Sequence, residues 1–179
     1  MPEQFTSPNV MTRFIASRFI LISSLSIALV FISIVAINCV STTAPDVTFT
    51  TITGKKIALK DLRGKPVIVA FWATDCPGCI KEIPRLIDLY TQYHAHGLEI
   101  IAVAMYYDPP DHVVAMTRDR QLPYNVSLDL KSEQAHAFGD VQLIPKTFLI
   151  TPDGLIALKK TGAFDHAEMK TRIETLLKG

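Results

Sequence analysis

The chain has 179 residues, 49% hydrophobic and 20% charged, with a formal net charge of +1, which bounds it to one ordinary domain plus at most an appendage. Mean hydropathy is +0.26, high for a purely soluble domain, so one segment must be far more apolar than the rest. No basic run or stripe stands out, and this excludes the electrostatic footprint of a nucleic-acid binder.

The apolar segment runs from Phe19 to Val40 without one charged side chain. About 20 helical residues cross a hydrocarbon core of about 30 Å, so this stretch is long enough for a membrane anchor. A cleaved secretory signal would have a shorter apolar region and a small-x-small cleavage site. Ala36-Ile37-Asn38-Cys39 is a poor one, and Asn38 and Ala36 also fit badly with lipidation of Cys39. Arg13 and Arg18 precede the span and the first basic residues after it are Lys55 and Lys56. The positive-inside rule therefore favours a cytoplasmic segment at residues 1–18, an uncleaved transmembrane anchor at 19–40 and export of everything after it. For a bacterial chain this is the inner membrane, with the domain facing the periplasm or the outside. The remainder loses only Arg13, Arg18 and Glu3 of the charged residues and is formally neutral.

Residues 41–46 read as a small polar linker, and the domain is expected over 47–179. Val47 to Thr51 and Lys56 to Leu59 flank Thr53-Gly54 as a strand pair. The continuous apolar run Val67 to Ala73 suits a central strand covered on both faces. After Cys76, apolar residues at Cys79, Ile83, Leu86 or Ile87 and Tyr90 recur at helical spacing, predicting a helix that Pro84 kinks and that ends near Gly97. Leu98 to Met105 is a second buried strand, and strand, helix, strand makes a right-handed βαβ unit. A helix from Pro109-Pro110 to Gln121, a strand at Tyr124 to Leu128 and a short helix at Ser132 to Phe138 follow. Thr147 to Ile150 and Leu155 to Thr161 form a hairpin about Thr151-Pro152-Asp153-Gly154, and His166 to Leu177 closes the chain as a helix. This order describes an α/β sandwich with a mixed sheet.

Cys76-Pro77-Gly78-Cys79 sits where the buried strand becomes the helix. With Cys76 as N-cap, Pro77 falls at the first helical position, where its missing N–H is not needed. The Cys76 sulfur then faces unpaired backbone N–H groups and the positive end of the helix dipole, which favour a thiolate. Cys76 is the expected nucleophile. Cys79, one turn in on the buried face, is the resolving thiol that attacks the mixed disulfide. A CxxC is also half of a zinc site, but the sequence offers no second CxxC or CxxH and its histidines are scattered. A purely structural disulfide is the other alternative. On the redox reading the chain needs no cofactor or metal beyond a Cys76–Cys79 disulfide.

Phe71-Trp72-Ala73-Thr74-Asp75-Cys76-Pro77-Gly78-Cys79, with Ile144-Pro145-Lys146-Thr147-Phe148-Leu149-Ile150 further on, resembles the thioredoxin superfamily, most of all its membrane-anchored TlpA/ResA branch. The resemblance covers nearly all of residues 47–179. It implies a thioredoxin-like three-layer sandwich with a central mixed sheet, and a cis Pro145 whose loop faces the cysteines and holds substrate. Trp72, Pro77, Gly78 and Ile144 are the accompanying substrate-side candidates, and Lys146 is either a partner contact or a plain surface lysine. Trp72 is equally readable as a core aromatic. Ala70 occupies the position of thioredoxin's buried aspartate, so that proton acceptor is missing. ResA-like proteins carry a glutamate three residues after the second cysteine, and Glu82 stands there, either managing the Cys79 proton or solvated beside Arg85. Asp75 replaces the tryptophan often found before the first cysteine, and a carboxylate near the Cys76 sulfur would oppose its thiolate.

The resemblance implies a disulfide reductase acting on cysteine pairs of exported proteins, apocytochrome c or copper-site proteins, with electrons from a transmembrane carrier of the CcdA/DsbD kind. An oxidase or isomerase is the alternative within the same chemistry, and a copper-delivery module without turnover the alternative outside it. Sco-type copper chaperones use CxxxC with a distal histidine, which this chain lacks. A peroxiredoxin would want Thr and Pro where Ala73 and Val69 stand.

Overall fold

The computed structural model describes residues 42–178; the expected cytoplasmic segment and membrane anchor lie outside the described residues. A five-stranded mixed sheet has the order β5-β4-β3-β6-β7. Its strands are β3 (Val67–Trp72), β4 (Glu99–Ala104), β5 (Asn125–Leu128), β6 (Lys146–Ile150) and β7 (Ile156–Thr161). β3 pairs in parallel with β4 and antiparallel with β6, β4 and β5 are parallel, and β6 and β7 form the expected antiparallel hairpin. A separate hairpin of β1 (Thr48–Thr50) and β2 (Lys56–Ala58) reaches β5 through a bridge between Thr51 and Ser127.

Among the described residues four helices flank the sheet: α1 (Pro77–Tyr93), α2 (Pro110–Asp119), α3 (Glu133–Ala137) and α4 (His166–Lys178). All six residues of β3 are buried, as the uninterrupted apolar run requires of a strand covered on both sides. Because side chains alternate along a strand, Ile68, Ala70 and Trp72 face one core with Cys79, Ile83, Leu86 and Leu89 of α1 and Met169 and Ile173 of α4. Val67, Val69 and Phe71 face the other, with Phe49 and Ile57 of the hairpin and Ala135 and Phe138 around α3. These are the three layers of a thioredoxin-like sandwich.

Several element boundaries move inward. β2 gives way to a 3₁₀ turn at Leu59–Leu62, and the long helix ends at Tyr93, followed by a 3₁₀ turn at His94–His96. Gly97, at φ 114°, then reverses the chain in a conformation that favours glycine. Pro84 lies inside α1, which runs through it as one helix. The expected linker is partly built into the domain: Thr43 bridges Leu155, and the Ala44 N–H donates to Gly154 O at 2.9 Å. Exposure of Ser, Thr and Pro in the sequence carries no sign of such edge pairing.

Candidate active site

β3 delivers the chain to the C-terminal edge of the sheet, and a turn closed by Cys76 N–H to Ala73 O at 3.2 Å aims it into α1. Cys76 is the N-cap of α1 in extended conformation, with Pro77 at the first helical position. Its Sγ accepts the Cys79 N–H at 3.1 Å and is bonded to Cys79 Sγ in a disulfide with a Cα–Cα distance of 5.2 Å. The two sulfurs are not equivalent. Cys79 is buried and packs in the α1 core, whereas Cys76 is only half-buried. An incoming thiol or disulfide can reach Cys76, and Cys79 can be reached only through it.

The Ile144-Pro145 bond is cis. The Pro145 ring lies against the first turn of α1, so close that a β-carbon on Gly78 would be 3.2 Å from its Cδ. Pro77 is exposed, Gly78 and Ile144 are half-buried, and Pro145 itself is buried against the helix start, so the candidates reach the surface at Pro77, Gly78 and Ile144 and not at the Pro145 ring. Trp72 is placed differently. It is buried in the core, its indole N–H has no partner among the described residues, and it meets Cys79 from below and not the solvent side. Lys146 is half-buried and donates to Thr161 Oγ1; burial and the neighbouring Lys159 lower its pKa.

Glu82 is not solvated. It is 3% exposed, and its Oε1 accepts the Phe164 N–H at 2.9 Å. Arg85 does not pair with it in an ion pair; the guanidinium reaches outward and donates to Phe164 O at 3.0 Å. One peptide segment is thus held at its N–H by Glu82 and at its carbonyl by Arg85. Burial pushes the Glu82 carboxyl above its ordinary value, and the Phe164 N–H and the Arg85 charge pull against that. Glu82, Cys79, Trp72 and Ala70 line one small cavity of about 10 Å³, space for one water at most. Ala70 leaves the β3 side of this cavity without a carboxylate, and Glu82 supplies one from the helix.

The sequence reading missed a second buried carboxylate. Asp108, in the loop after β4, is 4% exposed and accepts both the Thr74 N–H at 2.7 Å and the Thr74 hydroxyl at 2.6 Å. It ties the loop leading to Cys76 to the neighbouring strand's loop. Among the described residues no group of three His, Cys, Asp or Glu side chains converges as a metal site.

Residues 40–159 match the model of the AhpC/TSA family. The chain belongs to that family. Within it, the chain is 36% identical over 136 residues to the thiol-disulfide oxidoreductase ResA of Bacillus thuringiensis, covering 75% of each chain. Against ResA of Bacillus subtilis the identity is 34%, over 69% of this chain and 68% of the relative. A thioredoxin-family thiol:disulfide interchange protein from Chlorobium tepidum superposes with a TM-score of 0.70 at 26% identity, covering 76% of this chain and 97% of the other. With an accessible and a buried cysteine joined at a helix N-terminus, the family member in hand is a thiol-disulfide oxidoreductase of thioredoxin fold.

Proposed function

We propose that the protein is a membrane-anchored disulfide reductase, working outside the cytoplasm on cysteine pairs of exported proteins such as apocytochrome c or copper-site proteins. Residues 19–40 are its anchor, and a transmembrane carrier of the CcdA/DsbD kind returns it to the dithiol state. The observation that carries the reductase reading is the buried Glu82 beside the buried Cys79. A carboxylate there disfavours a thiolate at Cys79 and holds the resolving sulfur as a thiol until it is needed.

In the reduced enzyme the Cys76 thiolate attacks one sulfur of the client disulfide. The client's other sulfur leaves as a thiolate and takes a proton from solvent. Cys79 gives its proton to Glu82 and attacks Cys76 Sγ, which breaks the mixed disulfide and leaves Cys76–Cys79 oxidised; the second client sulfur leaves as a thiolate and takes the proton that Glu82 accepted. Two electrons pass from the enzyme pair to the client. Pro145 and Ile144 hold the client chain beside Cys76, with Pro77 and Gly78 forming the opposite lip.

The helix N-terminus at Cys76 favours the thiolate and pushes towards an oxidant, while Glu82 and the absent N–H of Pro77 push the other way; Asp75 is exposed, and a solvent-facing carboxylate does little to the balance. The reduction potential decides between reductase and oxidase. Equilibration with glutathione or dithiothreitol buffers should give a value below about −200 mV, and one above about −150 mV would favour the oxidase. Alkaline carbonate extraction tests the anchor: the full chain should stay with the membrane, and a soluble product beginning near Ser41 would contradict it.

A further inference from the structure

Five large hydrophobic side chains are exposed among the described residues: Tyr106, Tyr107, Val114, Leu130 and Leu143. Val114 lies on α2, and the other four are not scattered. Tyr106 and Tyr107 follow β4, Leu130 follows β5, and Leu143 comes just before the Ile144-Pro145 bond that leads into β6. In a sheet where β3, β4 and β5 are parallel and β6 runs against β3, all four of these positions fall at the edge where β3 hands over to Cys76. Their exposures are 57% for Tyr106, 47% for Tyr107, 62% for Leu130 and 72% for Leu143. Apolar side chains gathered at one edge of a domain, and not dispersed over it, mark a contact surface.

Local structure fixes the two tyrosines. Their rings meet edge to face, with centroids 5.3 Å apart and planes at 84°, the arrangement aromatic pairs prefer. The next residue is Asp108, buried and bonded twice to Thr74, so the pair stands on the same clamp that holds the loop to Cys76. Tyr107 lies near enough to Asp75, the residue before Cys76, for that carboxylate to help raise its phenol pKa, after desolvation. Tyr106 also forms one wall of a groove of about 280 Å³ running towards the loop before Pro145, with Met105, Ala135 and Val141 as its apolar part and the His136–Asp140 pair in its polar part.

We infer that the Tyr106–Tyr107 pair and this groove are a docking subsite for the client polypeptide, taking an apolar or aromatic side chain next to the client's reactive cysteine. Thiol-disulfide exchange obliges a partner to bring a sulfur to Cys76, and Tyr107, close to Asp75, ties the tyrosine pair to the loop on which that sulfur must arrive. Rigid, amphipathic tyrosines suit recognition of many apolar sequences at low entropic cost. The inference rests on a polypeptide client and on exchange at Cys76, in either direction of electron flow, so an oxidising potential would overturn the reductase reading and leave the docking question standing.

The test compares two substrates on the wild type and on Tyr106→Ser/Tyr107→Ser. One is a synthetic peptide with an internal disulfide flanked by phenylalanine and leucine. The other is the small disulfide 5,5′-dithiobis(2-nitrobenzoate), which has no flanking side chain to dock. The ratio of their kcat/KM values should fall about tenfold in the double variant, mainly through KM for the peptide. A peptide with serine flanks should show little of that loss. Both tyrosines are exposed, so folding should survive; Leu143→Ser gives an independent second variant with the same expected direction. An unchanged ratio, or an equal fall on both substrates, would overturn the inference. So would a double variant that only loses lipid-vesicle binding or only dissociates a dimer, because the patch would then belong to a membrane or to a second copy.

Discussion

The Pro145 ring sits where a side chain on Gly78 would otherwise project, 3.2 Å from Cδ to the position of an added β-carbon. The first turn of α1 and the loop before β6 approach this closely because position 78 has no side chain. Gly78→Ala should raise helix propensity, by up to about 1 kcal/mol, while forcing the ring to retreat by a few tenths of an ångström. Thermal stability should therefore hold or rise as the rate of peptide-disulfide reduction falls several-fold. Equal rates for the two proteins would mean that the ring yields freely and that the contact carries no functional weight.

Glu82→Gln should alter the pH dependence of both stability and exchange. Glutamine keeps an oxygen to accept the Phe164 N–H but cannot ionise. The Glu82 carboxyl is raised above its ordinary 4.5, so below that value it is protonated folded and unfolded alike. As pH rises, the unfolded chain ionises first, and the folded protein then pays for a buried charge. Wild type should thus lose stability relative to Glu82→Gln from about 4.5 up through the raised value, and the difference should then level off. Denaturant unfolding of both proteins across that range measures it. The rate of mixed-disulfide resolution should lose its dependence on the same ionisation in the glutamine variant. Superimposable pH profiles would remove Glu82 from the proton-transfer step.

The readability of this site from sequence divides along chain distance. Cys76, Pro77 and Cys79 belong to one helix start, and the N-cap geometry that sets their roles is written in consecutive residues. The alternating faces of β3 follow equally from its unbroken apolar run. The burial of Glu82 does not, because a carboxylate on a helix is ordinarily solvated and its partner, Phe164, lies 82 residues away. Asp108 was invisible for the same reason, its partner Thr74 being 34 residues upstream. Trp72 shows the converse: strand alternation places it with Ile68 and Ala70 on the α1 side, where its indole is buried in the core.

Asp108→Ala should destabilise the domain by about 1–3 kcal/mol, because it strands the Thr74 N–H and hydroxyl without their charged acceptor. Asp108→Asn keeps the shape and one acceptor oxygen, and its amide can donate to the Thr74 hydroxyl, so it should recover much of that loss. Urea unfolding of the oxidised proteins gives the comparison. A redox titration of the same variants shows whether freeing Thr74 also changes Cys76, two residues on. Full stability in Asp108→Ala would show that the two loops hold together without the clamp.

Replacing each cysteine in turn should separate their roles, because the site is asymmetric. Cys76 is half-buried at the helix N-terminus with its sulfur facing the Cys79 N–H, and Cys79 is sealed beneath it against Trp72 and Glu82. Cys79→Ser retains the attacking sulfur and loses the one that resolves the mixed disulfide. It should accumulate a covalent adduct with a disulfide-bearing peptide, visible on a non-reducing gel and dispersed by dithiothreitol. Cys76→Ser leaves only the buried thiol, which a peptide disulfide cannot reach in the folded protein, so it should form no adduct and show no turnover. If Cys76→Ser trapped peptide as readily as Cys79→Ser, burial would not be controlling access, and the order of attack assigned to the two sulfurs would have to be reversed or abandoned.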